Sequence, residues 1–373
     1  MIDQEQLKNI ANQIKLSGYP LEHWTSSLLR AEGWFVTTNR YYLDSDDKRP
    51  REMDIIAHKE KNLGRFKVRT VILISCKKSK NSVWGFLRRP FPTERNRTNL
   101  FPVMITSNTP SINHSLQDWK WSSDYCKFIT TQGLPDWFDV PRYDVFAHQQ
   151  IPLTEKGKLH DGDMHSATMQ LIKAQAYEMA AYRRRDAHEV TQFNLISLTE
   201  GDFVGINFGD GESIDAEEIS EQVALASYKI DNCDHNSRVL YLTKNAFSAG
   251  MSKFTDLHAL NVEFFDNLDK KFLENAIHDK EKRMVHIDQF VTRTKNLILR
   301  QTRSFSTPPY TVPDLKISLL AETSNNPTVF ITAKDSEILD AARTPYIKEY
   351  LARDLKFFWG YEGDFDVNAT REM

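Results

Sequence analysis

The chain has 373 residues, of which 40% are hydrophobic and 27% are charged, so it can bury one large core or two smaller ones. Its formal net charge of −3 excludes a strong global attraction to nucleic acid, and any such binding must use local basic clusters. Three cysteines without C-x-x-C spacing exclude a disulfide framework, and the sequence shows neither a signal peptide nor a membrane-length apolar run. We therefore predict a cytoplasmic protein that does not associate with membranes.

Apolar residues at helical spacing predict two helices near the N-terminus, over residues 4–16 and about 21–32, and Gly33 ends the second helix. Glu22 lies in the first turn of that second helix, where the helix dipole favours a carboxylate. From spacing alone, this position explains Glu22 without any functional role. A strand is predicted next, over residues 34–42.

Two short aliphatic stretches, residues 51–57 and 71–77, then predict neighbouring strands. Because side chains alternate along a strand, Ser75 and Lys77 share one face. A lysine at the end of a near-continuous apolar run is costly to bury alone, and Asp54 in the preceding strand is its candidate partner. We therefore predict a compact polar site at the edge of a core.

Four phrases, in this order, resemble the PD-(D/E)XK nuclease superfamily: Ser17-Gly-Tyr-Pro-Leu-Glu22, Gly33-Trp-Phe-Val36, Glu52-Met-Asp-Ile-Ile-Ala57 and Ile72-Leu-Ile-Ser-Cys-Lys77. The resemblance implies an α/β fold of the restriction-endonuclease-like kind, in which helices flank a mixed central sheet. It also implies a metal-dependent nuclease.

Carried over by position, the family's site residues fall on Glu22, Asp54, Ser75, Lys77 and, more loosely, Gln170. The family usually has Glu or Asp at the position of Ser75, so this residue departs from the pattern. A serine contributes only a neutral hydroxyl in place of a carboxylate. Glu52, on the strand of Asp54, and Glu178, on a later helix, are alternative sources of the missing carboxylate.

The resemblance further implies Mg²⁺ or Mn²⁺ as the cofactor. The ion would be held by Asp54, by the main-chain carbonyl of Cys76 and by Glu22. Such an ion relieves charge at phosphorus and lowers the pKa of its bound water. Lys77 would orient or deprotonate that water, or stabilise the developing charge.

Residues 78–150 are predicted to be an insertion, in which Trp84, Phe86 and Phe91 alternate with cations. Its later part, from Trp119 to Phe138, is predicted to be irregular with a small core of its own. The cations that are candidates for nucleic-acid binding are Lys78, Lys80, Arg88 and Arg89. Cations mixed with aromatic residues suit a phosphate backbone and stacked bases. The same mixture is also typical of a solvated loop that packs its aromatic residues on the core.

The stretch His160-Asp-Gly-Asp-Met-His165 contains metal-ligating residue types, but we interpret Asp163 as the cap of the helix that follows, over residues 164–185. Three arginines at the end of that helix are further candidates for phosphate binding: Arg183, Arg184 and Arg185. Cations at a helix C-terminus are also favoured by the dipole alone.

The segments after this helix predict a continuing α/β domain. They are a strand pair at 193–198 and 202–208, a helix capped by Asp215, a strand at 239–242, a helix from Ser248 and a strand at 261–265. Further on, three prolines in residues 304–313 mark a boundary, and residues 328–332 and 336–355 predict a strand and a helix.

We therefore divide the chain into two parts. Residues 1–275 form a nuclease-like domain with an insertion at about 80–150, and residues 276–373 form a helical linker with a small C-terminal α/β appendage.

Three functions agree with these patterns. The resemblance favours a DNA endonuclease of restriction or phage-defence type. Ser75 favours instead a catalytically degenerate domain that binds nucleic acid without cutting it. The insertion and the appendage favour a component of a larger complex, with a protein partner or a second copy of the chain. No G-x-x-x-x-G-K-[ST] loop and no G-x-S-x-G elbow is present, which argues against nucleotide hydrolysis and serine-hydrolase chemistry.

Overall fold

The computed structural model describes residues 2–44, 48–79, 82–91, 103–134, 136–153, 159, 161–183, 187–209, 213–230, 232–302, 314–322 and 326–372, without the side chains of residues 136 and 183. The chain forms two compact units. The first unit comprises Met1–Asn108 and Trp119–Phe265, and the second comprises Thr109–Asp118 and Asp266–Met373. Among the described helices, none is both long and apolar enough to cross a membrane.

In chain order the elements are α1 (Gln4–Lys15), α2 (Tyr19–Ala31), β1 (Phe35–Leu43), β2 (Pro50–Asn62), β3 (Lys67–Lys77), β4 (Ser82–Pro90), β5 (Ile105–Ser107), α3 (Pro110–Ser115), α4 (Trp121–Thr131), a 3-10 helix (Asp136–Phe138), β6 (Tyr143–Pro152), α5 (Gly162–Arg183), β7 (Glu189–Thr199), β8 (Phe203–Phe208), β9 (Ile214–Ile219), β10 (Glu221–Ile230), β11 (Cys233–Thr243), α6 (Lys244–Leu273), α7 (Lys280–Gln301), β12 (Leu315–Leu320), β13 (Thr328–Ala333), α8 (Ser336–Ala342), α9 (Pro345–Trp359) and β14 (Asp366–Arg371). The predicted helices α1, α2 and α5 and the predicted strands β1, β2 and β3 are confirmed.

The main sheet of the first unit is mixed and seven-stranded, with the order β1-β2-β3-β7-β11-β10 and β5 paired to β7. Strands β3, β7 and β11 run parallel, whereas β1, β2 and β10 are antiparallel to their neighbours. The central strands β3 and β7 are buried along almost their whole length, as expected for strands covered on both faces.

Helices cover this sheet on both faces. Leu21 of α2 and Phe254 of α6 pack with Ile74 on one face, whereas Leu171 of α5 packs with Leu73 on the other. The first unit is therefore an α/β structure with a mixed sheet flanked by helices, which confirms the coarse class predicted from the sequence.

The described part of the predicted insertion contains regular structure. The stretch predicted to be irregular includes α4 and the 3-10 helix, so that expectation was wrong. Strands β4 and β6 join β8 and β9 in a four-stranded sheet with the order β6-β4-β8-β9. Trp84 and Phe86 are fully buried there and pack against Phe203, with Trp84 stacked at 5.8 Å between ring centroids. These aromatic residues belong to the core and are not available to stack on bases.

Three other predicted elements differ from the structure. The segment after Asp215 is the edge strand β9 and not a helix, because it pairs with β8 along its whole length. Residues 261–265 belong to α6 and not to a strand, since Asn261 and Phe265 continue the buried stripe of that helix. The predicted pair β7 and β8 belongs to two different sheets.

The second unit contains the sheet β12-β13-β14 with α3, α7, α8 and α9. Its core includes Phe290, Val329 and Trp359. The single helix predicted over 336–355 is two helices, because α9 begins anew at Pro345, behind an N-terminal cap that Thr344 supplies. The predicted domain boundary at residue 275 falls inside this unit.

Gly250 lies within α6, where a side-chain carbon would overlap the ring of Trp137. A glycine-to-alanine change in a helix normally stabilises by about 1 kcal/mol. We expect Gly250→Ala instead to lower the free energy of unfolding by about 1–3 kcal/mol, because the rigid indole cannot yield. Gly162→Ala at the start of α5, where the space is open, is the matched control and should be neutral or stabilising. Urea denaturation measures both variants, and equal stabilities would show that the Trp137 contact does not constrain α6.

Candidate functional site

The candidate site lies where β2 and β3 separate. Their paired registers end with Ile55 opposite Ile74. One residue further, the Oδ2 atom of Asp54 accepts a hydrogen bond from the main-chain N–H of Cys76 at 2.6 Å, and a longer one of 3.4 Å from the Ser75 hydroxyl. The Asp54 carboxylate thus replaces a main-chain carbonyl at the end of the ladder, and it joins the two strands.

A break in side-chain alternation places Asp54 in this position. Met53 and Ile55 are two residues apart, yet they belong to the cores on opposite faces of the sheet. On the neighbouring strand β1, Asn39 has φ 55°, in the left-handed region, where Asn is more tolerant than most residues. Asp54 lies between these two residues, at the point where the side chains change faces. Its carboxylate is directed along the sheet towards β3.

Gln170 of α5 holds this arrangement from one side. Its Nε2 donates to Asp54 Oδ1 at 3.0 Å and to the main-chain oxygen of Glu52 at 2.5 Å. Its Oε1 accepts from the Ser75 hydroxyl at 2.8 Å. Both ends of the amide are therefore used, and they link α5 to β2 and β3.

Glu22 and Lys77 lie near Asp54. Burial raises the pKa of Glu22, and the charges of Asp54 and Glu52 raise it further, whereas Lys77 lowers it. Lys77 is the last residue of β3 and pairs with Thr199 of β7. The described residues provide no hydrogen bond or ion pair to its ammonium group. The sequence-predicted Glu22, Asp54, Ser75, Lys77 and Gln170 are therefore brought together.

Asp54 remains electrostatically unfavourable despite its hydrogen bonds. Burial raises its pKa, and this outweighs the lowering by the Cys76 N–H, Lys77, Gln170 and Ser75. Because the folded-state pKa values of Asp54 and Glu22 are both raised, their ionisation costs stability at neutral pH. That cost disappears as the pH falls through the folded pKa values. Such an unfavourable arrangement is characteristic of functional sites.

Ser75 is fully buried between Asp54 and Gln170, and neither alternative carboxylate takes its place. Glu52 accepts hydrogen bonds from Asn39 at 2.6 Å and Tyr41 at 3.2 Å, on the exposed side of the strands. Glu178 is also buried, but it forms an ion pair with Arg40 at 3.2 Å. Of these two alternative carboxylates, Glu52 raises the pKa of Glu22.

The donor set suits a weakly held hard cation. In the part of the chain that the structure describes, no three His, Cys, Asp or Glu side chains are grouped to hold a metal ion. Asp54 and Glu22 supply two carboxylates, and Mg²⁺ is commonly bound by one or two carboxylates together with waters and substrate phosphates. Oxygen donors of this number fit Mg²⁺ or Mn²⁺ when a phosphate completes the set.

The predicted nucleic-acid contacts are scattered. Arg88 is 3% exposed and bonded to Asn207, Gln222 and Glu217, so its assignment as a phosphate contact is replaced by a structural role. Sequence alone could not show this burial, because the three partners lie in the later strands β8, β9 and β10.

Of the other cations, Arg89 is exposed and pairs with Asp144 at 2.9 Å, and Lys78 lies at the end of β3 beside Lys77. Lys80, Arg184 and Arg185 lie outside the described residues, as do His160 and the side chain of Arg183.

Sequence reasoning missed the open cavity beside the site. Its volume is about 410 Å³, and its walls include Glu52 and Gln170 together with Tyr42, Lys173 and Tyr228. No sequence signal points to it, because its walls come from four elements, β1, β2, α5 and β10, and the last two are distant in the chain from the first two.

Comparisons of the chain with protein-family models, with curated proteins and with solved structures found no match. A proposal about function therefore depends on the geometry of the site.

The coupling of Glu22 to Asp54 is directly testable. Asp54→Asn removes a negative charge that raises the pKa of Glu22, so we expect that pKa to fall. Carboxyl ¹³C NMR titration measures it. Glu5→Gln, on the exposed helix α1, is the control and should leave it unchanged. An unaltered pKa in Asp54→Asn would mean that the two carboxylates do not share a site.

Proposed function

We propose that the chain is a Mg²⁺- or Mn²⁺-dependent nuclease of the PD-(D/E)XK, restriction-endonuclease-like kind, with DNA as its substrate, in restriction or phage defence. The observation that supports this most is the meeting of Glu22, Asp54 and Lys77 where the pairing of β2 with β3 ends. A lysine with no described hydrogen-bond or ion-pair partner, beside two carboxylates whose pKa values are raised, has a chemical use in phosphodiester hydrolysis.

In this proposal, Asp54 and Glu22 hold the cation, and the main-chain carbonyl of Cys76 is a third oxygen donor. When bound, the cation would supply charge relief at the phosphate and a more acidic water. Lys77 stabilises negative charge that develops on the phosphate, or accepts a proton from the attacking water. Gln170 and Ser75 keep the Asp54 carboxylate oriented.

A second candidate is nucleic-acid binding without cleavage. Ser75 favours this candidate, because its neutral hydroxyl adds no charge for a metal. That hydroxyl donates to Gln170 and lies 3.4 Å from Asp54. A site with fewer carboxylates binds a divalent cation less tightly. The two candidates predict the same residues at the site, but they differ in the outcome with metal.

The nuclease proposal predicts cleavage of plasmid or single-stranded DNA with Mg²⁺ or Mn²⁺. Asp54→Asn and Lys77→Ala should each reduce the rate at least about 100-fold, because they remove the main cation ligand and the stabilising charge. Activity should fall as the pH drops through the raised pKa values of Asp54 and Glu22, whose ionised forms are required. Gel assays of initial rates measure this.

Lys61→Ala is the control, since Lys61 is an exposed lysine near the far end of β2, and its rate should equal that of the wild type. Binding that is salt-sensitive, with no cleavage under either metal, would favour the second candidate. If the wild type neither cleaved nor bound nucleic acid, both candidates would be refuted.

Ser75→Asp should restore an acidic pair with little increase in side-chain size. We expect it to lower the Mg²⁺ concentration that gives half-maximal cleavage, and to lower the melting temperature without metal, because two buried carboxylates repel each other. Added Mg²⁺ should recover that temperature. Ser75→Ala is the control that removes the hydroxyl and adds no charge. If the metal requirement of Ser75→Asp matched that of Ser75→Ala, residue 75 would not lie beside the ion.

A further inference from the structure

The three parallel strands of the main sheet end together. Lys77 of β3 pairs with Thr199 of β7, and Thr199 pairs with Thr243 of β11. The residues that follow these three are therefore neighbours along one edge of the sheet: Lys78, Glu200 and Lys244. In open α/β sheets, ligands bind outside the carboxyl ends of the parallel strands.

At this edge, one carboxylate lies between two ammonium groups. The Oε2 atom of Glu200 is 3.5 Å from Lys78 Nζ, and its Oε1 atom is 3.2 Å from Lys244 Nζ. All three side chains reach solvent, with exposed fractions of 27% for Glu200, 16% for Lys78 and 37% for Lys244. A dissolved anion can therefore reach the place that Glu200 occupies.

Two further features make this edge favourable for an anion. Helix α6 begins at Lys244, so the positive end of its dipole and its first N–H groups lie there. Lys244 also lies over the ring of Trp24, 4.8 Å from its centroid, and Trp24 is two residues from Glu22 on α2. Lys78 directly follows Lys77 in the chain, so this edge begins beside the candidate site.

We propose that this edge, Lys78, Glu200 and Lys244, binds a backbone phosphate of the nucleic-acid strand beside the phosphate that is cleaved, and that the Glu200 carboxylate occupies the phosphate position when nucleic acid is absent. The inference rests on the proposed function, since it names where the substrate strand lies. Phosphate oxygens accept from lysines in the same way as a carboxylate does, so binding exchanges one anion for another.

This exchange predicts the direction in which nucleic-acid affinity changes when Glu200 is neutralised. If no nucleic acid lay at this edge, the neutralisation of Glu200 would leave nucleic-acid affinity nearly unchanged, because charges further apart than the Debye length are screened. If it competes with phosphate, its neutralisation removes both the competitor and a repulsive charge, and the affinity rises.

The test is binding of labelled single-stranded and duplex oligonucleotides, without divalent metal, across a salt series, followed by fluorescence anisotropy. We expect Lys78→Gln and Lys244→Gln each to weaken binding several-fold and to reduce the salt slope by about 0.7–0.9. Glu200→Gln should tighten binding several-fold. Lys244→Arg, which keeps the charge, should restore the slope, and Lys61→Gln near the far end of β2 should match the wild type.

Inorganic phosphate, titrated as a competitor, distinguishes a strand phosphate from a free one. If inorganic phosphate competes only at concentrations far above that of the oligonucleotide, the site binds a phosphate of a nucleic-acid strand. An unchanged or weaker affinity in Glu200→Gln, an unchanged salt slope in Lys244→Gln, or no oligonucleotide binding by the wild type would each overturn the inference. If the wild type cleaves DNA but the lysine variants bind nucleic acid normally, this inference is overturned and the nuclease proposal stands. The expected binding pattern without cleavage under either metal would support the phosphate contact at this edge, but it would overturn its placement beside a cleaved phosphate and favour the second candidate.

Discussion

The hydrogen bond from the Cys76 N–H to Asp54 is the constraint on which the site depends. It is short, at 2.6 Å, and it ends the β2–β3 ladder with a charged acceptor in place of a neutral carbonyl. A buried carboxylate is costly, and the surrounding donors reduce that cost without removing it, since the pKa of Asp54 remains raised. The site therefore stores unfavourable electrostatic energy that a cation would relieve.

The apolar character of the sheet determines where such a site can lie. Strands β3 and β7 are buried on both faces, so a charged group in their middle would have no water. After the apolar middle of these strands, charged residues occur again at Lys77 and directly after Thr199 and Thr243, where three parallel strands end in register. The candidate site and the lysines beside it occupy the same edge for this one reason.

Local patterns predicted part of this structure. Helical and strand periodicity predicted α1, α2, α5 and the first three strands, which the structure confirms. Strand parity predicted that Ser75 and Lys77 share one face. The second sheet was missed because β4 pairs with β8, whose sequence lies far away in the chain. Arg88 was misjudged for the same reason, since Glu217 and Asn207 reach it only after that pairing. Asn39, on the strand next to Asp54, has a left-handed backbone conformation, and the periodicity of the sequence gives no sign of it.

Ser75 also explains how the site can fold without a metal. A second carboxylate at this fully buried position would repel Asp54, and the fold would need a cation to hold the pair together. The serine hydroxyl instead donates to Gln170 and, over a longer distance, to Asp54, so the network is satisfied in the absence of any ion. In the proposed nuclease, such a site would bind a cation weakly by itself and more tightly together with a substrate phosphate. Metal and nucleic acid would then bind cooperatively, each completing the site for the other.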